Sequence, residues 1–204
     1  MFSFVLNIQK NRNRSKLKDK EFDFLFEQDE SGEYVAFDTE TTGLNPKEDE
    51  ILSIGAVKIR DNKILTSQTF EIFVKNSKEI SSKSIEIHGI RHCDLQDAIE
   101  SEVAIKEFLR FIGSRPLIGY YLEFDISMIN KYTKPMLGIT LPNKAIEVSE
   151  IYFDKTICLI PQGNIDLRFD TILNKCDVPD MGAHNAVNDA IMTAMIYLKL
   201  TQEK

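Results

Sequence analysis

Phe37-Asp38-Thr39-Glu40-Thr41-Thr42-Gly43-Leu44 is the stretch from which the rest of the chain can be read. The residues just before it, Tyr34 to Phe37, form a short apolar run that reads as a buried strand. The polar Gln28-Asp29-Glu30-Ser31-Gly32-Glu33 segment ahead of them carries a turn-forming Ser-Gly, which sets the start of a domain at about residue 31. Residues i and i+2 of a strand face the same side, so Asp38 and Glu40 project together from its end. Two carboxylates held that close repel, and either one keeps a proton or a cation sits between them. An all-oxygen ligand set favours a hard cation, Mg²⁺ or Mn²⁺. An isolated Asp-x-Glu at a strand end is also commonly just solvated, so this triplet does not decide function alone.

Working outward, Asn45-Pro46 breaks the chain, and Ile51–Ile59 and Ile64–Val74 read as two further strands joined by an Asp61-Asn62 hairpin turn. The period then changes. Leu95, Ile99 and Val103, then Ile105, Phe108, Leu109 and Ile112, recur at helical spacing. Pro116 to Tyr121 reads as a short strand and Ile126 to Tyr132 as a helix. Pro135, Gly138 and Pro142 mark a loop region, and Leu167, Ile172 and Leu173 suggest another helix stopped near Pro179. Val187, Ile191, Ala194, Met195 and Leu198 define a last helix. A meander followed by strand–helix alternation predicts an α/β layered domain with a mixed sheet.

The chain has 204 residues, 43% of them apolar, which is enough for one sizeable core. No apolar run approaches the roughly 20 residues a membrane helix needs. The apolar Met1–Ile8 stretch precedes its basic residues, the reverse of a secretory signal, so a cytoplasmic protein is expected. Cys93, Cys158 and Cys176 are far apart without CxxC spacing and suit buried or idle thiols in a reducing compartment. The formal charge of −7 argues weakly against non-specific duplex binding, which neutralises phosphates with Lys and Arg. It leaves a nuclease open, because carboxylates holding divalent cations present positive charge to a phosphate. The charge is uneven: Lys10, Arg12, Arg14, Lys16, Lys18 and Lys20 stand against Asp19 alone, and removing that +5 from −7 leaves −12 for the rest. Residues 1–30 thus read as a basic N-terminal arm, either a solvated face or a contact for nucleic acid or a partner, and residues 31–204 as the domain.

Two more segments carry acids. Phe124-Asp125 lies between a strand and a helix, where an aspartate also serves as an N-cap. In His184-Asn185-Ala186-Val187-Asn188-Asp189-Ala190, Asp189 is the lone acid from Ala186 to Leu200, in a helix apolar around much of its circumference. Burying it without a positive partner would be costly, and a cation shared with Asp38 and Glu40 would remove that cost. His184 falls in the loop entering the helix, from where it can reach the same place.

Together these segments, from about Tyr34 to Leu200, resemble the DEDD exonucleases of the ribonuclease H-like fold, in the DnaQ-like (epsilon-like) subclass whose fifth residue is histidine. The Asp38–Leu44 heptad and the His-x-Ala-x-x-Asp-Ala of residues 184–190 carry the resemblance. It implies an α/β fold with a mixed five-stranded sheet flanked by helices. It also implies two divalent ions, Mg²⁺ or Mn²⁺, on Asp38, Glu40, Asp125 and Asp189, with His184 taking a proton from the attacking water and a 5′-mononucleotide as product. Thr41 and Leu44 occupy the positions that in similar proteins meet the terminal sugar and wedge between the last two bases, although Leu44 reads equally as core. His88, in His88-Gly89-Ile90, is implied beside the substrate or in a structural role; Phe124 packs by the terminal nucleotide or fills the core; His92 reads as surface. Many relatives carry His-Asn a few residues before the second-motif Asp, where this chain has Tyr120-Tyr121.

The implied partner is the 3′ end of single-stranded or frayed DNA, in a proofreading or repair activity. An RNA-trimming enzyme is the alternative on the same fold, since a 2′-OH contact distinguishes the two substrates and no sequence pattern reports it. A reading of another class is a module that docks on a DNA polymerase or other replication protein through the basic arm, whose apolar Phe2, Phe4, Val5, Leu6 and Ile8 suit either a docking peptide or a segment folded back on the domain.

Overall fold

A computed structural model describes residues 9–159, 164–182 and 184–202. Strand β1 (Tyr34–Thr41) is central in a sheet of order β3-β2-β1-β4-β5. It pairs antiparallel with β2 (Ile51–Arg60), which pairs antiparallel with β3 (Lys63–Phe73). Asp61 and Asn62 both take positive φ, 51° and 59°, the conformation a two-residue hairpin turn demands. On its other side β1 pairs parallel with β4 (Leu117–Gly119), and β4 parallel with β5 (Ala145–Glu147). The mixed five-stranded sheet is therefore as expected, although β5, at three residues, was too short to show a period.

Helices cover both faces. On one side lie α3 (Ser101–Ile112) and α4 (Leu122–Leu137), and Phe37 of β1 packs on Phe108 of α3 with ring centroids 5.1 Å apart. On the other side α5 (Val148–Leu159), α6 (Phe169–Lys175) and α7 (Ala186–Gln202) meet Ala36, Val57 and Ile118. Burial along β1 is nearly continuous, because its side chains alternate between two layers and both are covered. Each fully buried Phe, Leu or Ile stabilises the fold by about 1.5–3 kcal/mol. A smaller cluster, Leu52, Ile80, Ile90 and Leu95, seats α2 (Ser82–His88) beside the sheet.

The residues ahead of β1 do not stand clear of the domain where they are described. Helical backbone over residues 9–14 (α1) leads to a 3-10 helix, Lys20–Phe26, and Leu17, Phe22, Leu25 and Phe26 are buried in the same core as α3 and α4. The basic side chains remain outside while the apolar ones at 17, 22, 25 and 26 fold in. The apolar Phe2, Phe4, Val5, Leu6 and Ile8 lie outside the described residues.

Several element boundaries differ from the sequence reading. The helical period from Leu95 is broken: Leu95 ends a 3-10 turn, Ile99 bridges Val74, and Val103 is half exposed, so only α3 is helix. Helix α4 is longer at both ends than Ile126–Tyr132 and holds Pro135 in its last turn. Cys93 is a free, exposed thiol, and His92, expected at the surface, is exposed too.

Candidate active site

The carboxyl end of β1 is where the two layers meet. Asp38 and Glu40 point toward the α7 side, and Thr39 between them turns to α4, where its backbone N–H and Oγ1 donate to Asp125 Oδ1 at 3.0 and 2.5 Å. Asp125 is thus the fourth residue of α4 and not its N-cap. The N-cap is Tyr121, held in the left-handed region (φ 55°) with no side-chain cap of its own. Glu147, at the end of β5, supplies it instead: Oε2 accepts from Leu122 N at 2.8 Å while Oε1 accepts from Ser149 N and Oγ. One carboxylate therefore fixes the starts of α4 and α5.

Gly55 brings in the third acid. It sits opposite Asp38 in the β1–β2 ladder, and a Cβ there would lie 2.2 Å from the backbone of Ala186 and 2.3 Å from that of Val187. The start of α7 thus rests directly on the strand backbone, a close approach only glycine permits. Asp189 follows one turn later. Its Oδ2 accepts from His184 N at 3.0 Å, which holds His184 at φ 67° at the rim, and its Oδ1 is buried without any partner.

Asp38, Glu40 and Asp189 each present a carboxylate oxygen within 4.8 Å of the others. Asp125 stands outside this triangle, engaged by Thr39, yet close enough for its charge to act on Asp38. Burial, then the charges of Asp125, Glu40 and Asp189, push Asp38 well above the ordinary aspartate range. Burial and the charges of Asp189 and Asp125 raise Glu40 to about 7. Burial takes Asp125 to about 7 against the Thr39 hydrogen bonds, and Asp189 to about 6 against its contact with His184. At neutral pH the bare cluster is a set of carboxylates short of positive charge. An orphaned buried oxygen and a triangle of hard donors fit a divalent cation.

The acids floor a cleft of about 500 Å³ whose walls include every other predicted site residue. Leu44 is 85% exposed on the β1–β2 loop, which removes the core reading for it. Thr41 is buried and its Oγ1 donates to Gly43 O at 2.7 Å, shaping that loop. Phe124 is half-buried, packed on the α4 side of the core, and stacks on exposed Tyr121 at 6.4 Å and 19°. His88 is buried; its Nδ1 accepts from Ile90 N at 3.1 Å, which leaves Nε2 as the protonated nitrogen, unpartnered at the cleft wall. Burial and then the charge of His184 lower its pKa, so it stays a neutral donor. The Tyr120-Tyr121 pair also divides its work. Tyr120 OH donates to Leu167 O at 3.0 Å and its ring packs on Phe169, while Tyr121 faces the cleft.

Gly55 and Glu147 were not singled out in the sequence, whereas Tyr121 was noted only as a departure from the relatives' pattern. A glycine inside an apolar strand was a readable sign of close backbone approach; Glu147 had none, since its partners are distant in the chain.

This arrangement defines a class. Residues 35–197 match the exonuclease family RNase_T, and the chain belongs to that family. It is 36% identical over 172 residues to a DNA polymerase III PolC-type from Caldanaerobacter subterraneus subsp. tengcongensis, covering 84% of this chain and 12% of that protein. It is 27% identical over 172 residues to the DNA polymerase III subunit epsilon of Aquifex aeolicus, covering 84% and 82% of the two chains. The chain thus spans about an eighth of the PolC-type relatives it matches. Among solved structures, E. coli exonuclease I in complex with a dT13 oligonucleotide superposes with a TM-score of 0.68 at 14% identity, over 84% of this chain and 41% of that one. Cell-death related nuclease 4 superposes at 0.70 and 16%, over 83% and 64%. The fold is the ribonuclease H-like exonuclease fold. Among the described residues no helix is long and apolar enough to cross a membrane.

Proposed function

We propose that this chain is a divalent-cation-dependent 3′–5′ exonuclease that removes 5′-mononucleotides from single-stranded or frayed DNA ends, working beside a replicative polymerase. The observation that carries the reading is the Asp38–Glu40–Asp189 triangle with Asp189 Oδ1 unpartnered, at the floor of a cleft walled by Leu44, His88 and His184. The polymerase setting is supported by the PolC-type and epsilon relatives.

Asp38, Glu40, Asp189 and Asp125 would hold two ions, Mg²⁺ or Mn²⁺. Bound there, such ions supply charge neutralisation for the phosphodiester and a lowered pKa for water. His184, at the rim on a backbone anchored by Asp189, accepts the proton of the attacking water, a task suited to imidazole because its ordinary titration range spans neutral pH. His88 Nε2–H is a neutral donor for a phosphate or sugar oxygen. Leu44 enters between the last two bases, disrupting stacking worth a few kcal/mol at most, and the Thr41 backbone meets the terminal sugar. A frayed end is spared most of the unstacking cost.

The test is release of labelled mononucleotides from a 3′-labelled strand and stepwise shortening of a 5′-labelled one, DNA and RNA in parallel, with Mg²⁺ and with chelator. The parent protein is expected to shorten DNA from its 3′ end in a metal-dependent way and faster than RNA, and Asp38→Ala to abolish this. Full activity in that variant rejects the assignment; faster turnover of RNA moves the substrate from DNA to RNA.

A further inference from the structure

The basic N-terminal segment remains unexplained by the cleft. Two depressions lie along α4 away from the acids. The first, about 390 Å³, is lined by Arg12, Lys16 and Lys134 beside uncharged residues. The second, about 320 Å³, is lined by Lys47, Lys131 and Lys134 beside uncharged residues. Lys134 is common to both, so five cations form one strip, and no carboxylate lines either depression. In a chain with 32 acids against 25 Lys and Arg, that segregation is strong. Among the described residues, no acid pairs with Arg12, Lys16, Lys47 or Lys134, whereas Arg14 is already taken by Asp23.

The strip is built into the fold. Gly138, at φ +77°, ends α4, and a Cβ there would lie 2.5 Å from Lys16 O. Lys18 N donates to Leu137 O at 2.9 Å, and Asn13 Nδ2 to Thr140 O at 2.7 Å. These contacts pin the α1 segment against the end of α4, so its charges are presented from a fixed surface. The strip also leads to the cleft at two points. Lys47 lies three residues past Leu44, and α4 starts in the cleft wall, with Lys134 nine residues beyond Asp125. At 1.5 Å per residue that is about 13 Å, or about four phosphates at 3.4 Å per stacked nucleotide.

We infer that this strip binds the phosphodiester backbone of the strand whose 3′ end lies in the cleft, on its 5′ side. The inference rests on the nuclease reading for its direction. A backbone contact of this kind is indifferent to base sequence, and the shared chemistry of DNA and RNA strands fits it.

The test uses the full chain in EDTA, with fluorescein-labelled dT3, dT12 and rU12, and anisotropy read from about 50 to about 200 mM salt. An Arg12→Gln/Lys16→Gln/Lys134→Gln variant removes three exposed side chains. It is expected to weaken dT12 about tenfold, to lower the slope of log affinity against log salt by about 2 at roughly 0.7 per single-strand contact, and to change dT3 by less than twofold. A control, Lys63→Gln/Lys175→Gln/Lys199→Gln, makes the same charge change at exposed sites elsewhere and is expected to leave dT12 binding as in the parent. Weakening of dT12 and rU12 together assigns the strip to the backbone the two share, of dT12 alone to DNA, and of rU12 alone to RNA; each of these sustains the inference. Unchanged affinity and slope for both, or equal loss in the control, overturns it. Loss of co-purification with a polymerase while dT12 affinity is intact assigns the surface to a protein and overturns it too. If the parent hydrolyses 3′ ends while the triple variant binds dT12 normally, the inference fails and the nuclease reading stands. A parent that neither hydrolyses nor binds either strand ends both.

Discussion

Glu40→Gln tests the electrostatics of the site without reference to turnover. Glu40 in the folded, metal-free chain titrates at about 7 instead of 4.5, with burial the first cause and the charges of Asp189 and Asp125 the next. The folded state therefore holds a proton that the unfolded state has released between those two values. Its favourable contribution is full below pH 4.5, is lost as pH rises toward 7, and above 7 the folded chain carries the whole cost of an ionised Glu40. At about 1.4 kcal/mol per pH unit the cost is about 3.5 kcal/mol. Because the neighbouring acids share it, 1–3 kcal/mol is the order of magnitude expected on replacement. The amide removes this cost, so at pH 8 in EDTA the variant should melt higher than the parent, at about 2–4 °C per kcal/mol for a domain of this size. At pH 4 the two should melt together. Added Mg²⁺ or Mn²⁺ should reverse the order at pH 8, since a ligand at a hundred times its dissociation constant stabilises by about 2.7 kcal/mol and the amide binds it poorly. Thermal unfolding followed by circular dichroism at both pH values measures all of this. A variant less stable than the parent at pH 8 in EDTA would refute the claim that the cluster is short of positive charge.

Three further substitutions probe separate parts. His184→Ala should lower kcat by about 100- to 10,000-fold while Mn²⁺ binding by calorimetry is retained, because the carboxylates are untouched; activity within threefold of the parent removes the proton-transfer role. Leu44→Ala should slow removal of paired 3′ ends about tenfold, through loss of an unstacking contribution of a few kcal/mol at most, and spare mismatched ends. Equal loss on both substrates contradicts the wedge. Glu147→Ala strips the acceptor from Leu122 N and Ser149 N, costing about 1 kcal/mol as a lost cap. It should also lower kcat about tenfold by shifting the start of α4 and with it Asp125; an unchanged kcat shows that Asp125 is held by Thr39 alone.

The central strand and its carboxylates were legible because the apolar run Tyr34 to Phe37, the i, i+2 placement of Asp38 and Glu40 and the Asp38–Leu44 heptad are all local. The last helix was legible for the same reason, its apolar positions recurring over several turns. What escaped was fixed by contacts distant in the chain. Strand β5 is three residues long and exists because it pairs with β4, and α4 begins at Leu122 because Glu147 caps it from β5. Leu44 read equally as core, since an apolar side chain carries no mark of exposure; only the loop held by Asp49, which accepts from Asn45 N and Thr42 Oγ1, puts it outside. The placing of the basic arm stayed open in the sequence for a related reason. Its Lys and Arg residues dominate the pattern, while four apolar side chains scattered among and beyond them decide where it packs.

Acids buried at the two ends of β1 show what the site lacks. Glu33, at the opposite end of β1, is almost wholly inaccessible, and burial alone would raise its pKa. Hydrogen bonds from Arg60 and Arg115 more than offset this, and the carboxyl sits below its usual range. Asp38, Glu40, Asp125 and Asp189 are shifted the other way, and among the described residues no Lys or Arg pairs with any of them. The fold thus supplies arginines where a carboxylate has a structural task and withholds them where four converge beside a cleft. A cluster left in that state is stable at neutral pH only with protons or imported cations. Of those two, cations alone draw an anionic strand toward the acids. The strip along α4 lies outside that cluster, where Arg12, Lys16, Lys47 and Lys134 have no acid paired with them among the described residues, while Lys131 is engaged by Asp49 O and the charge of Glu50.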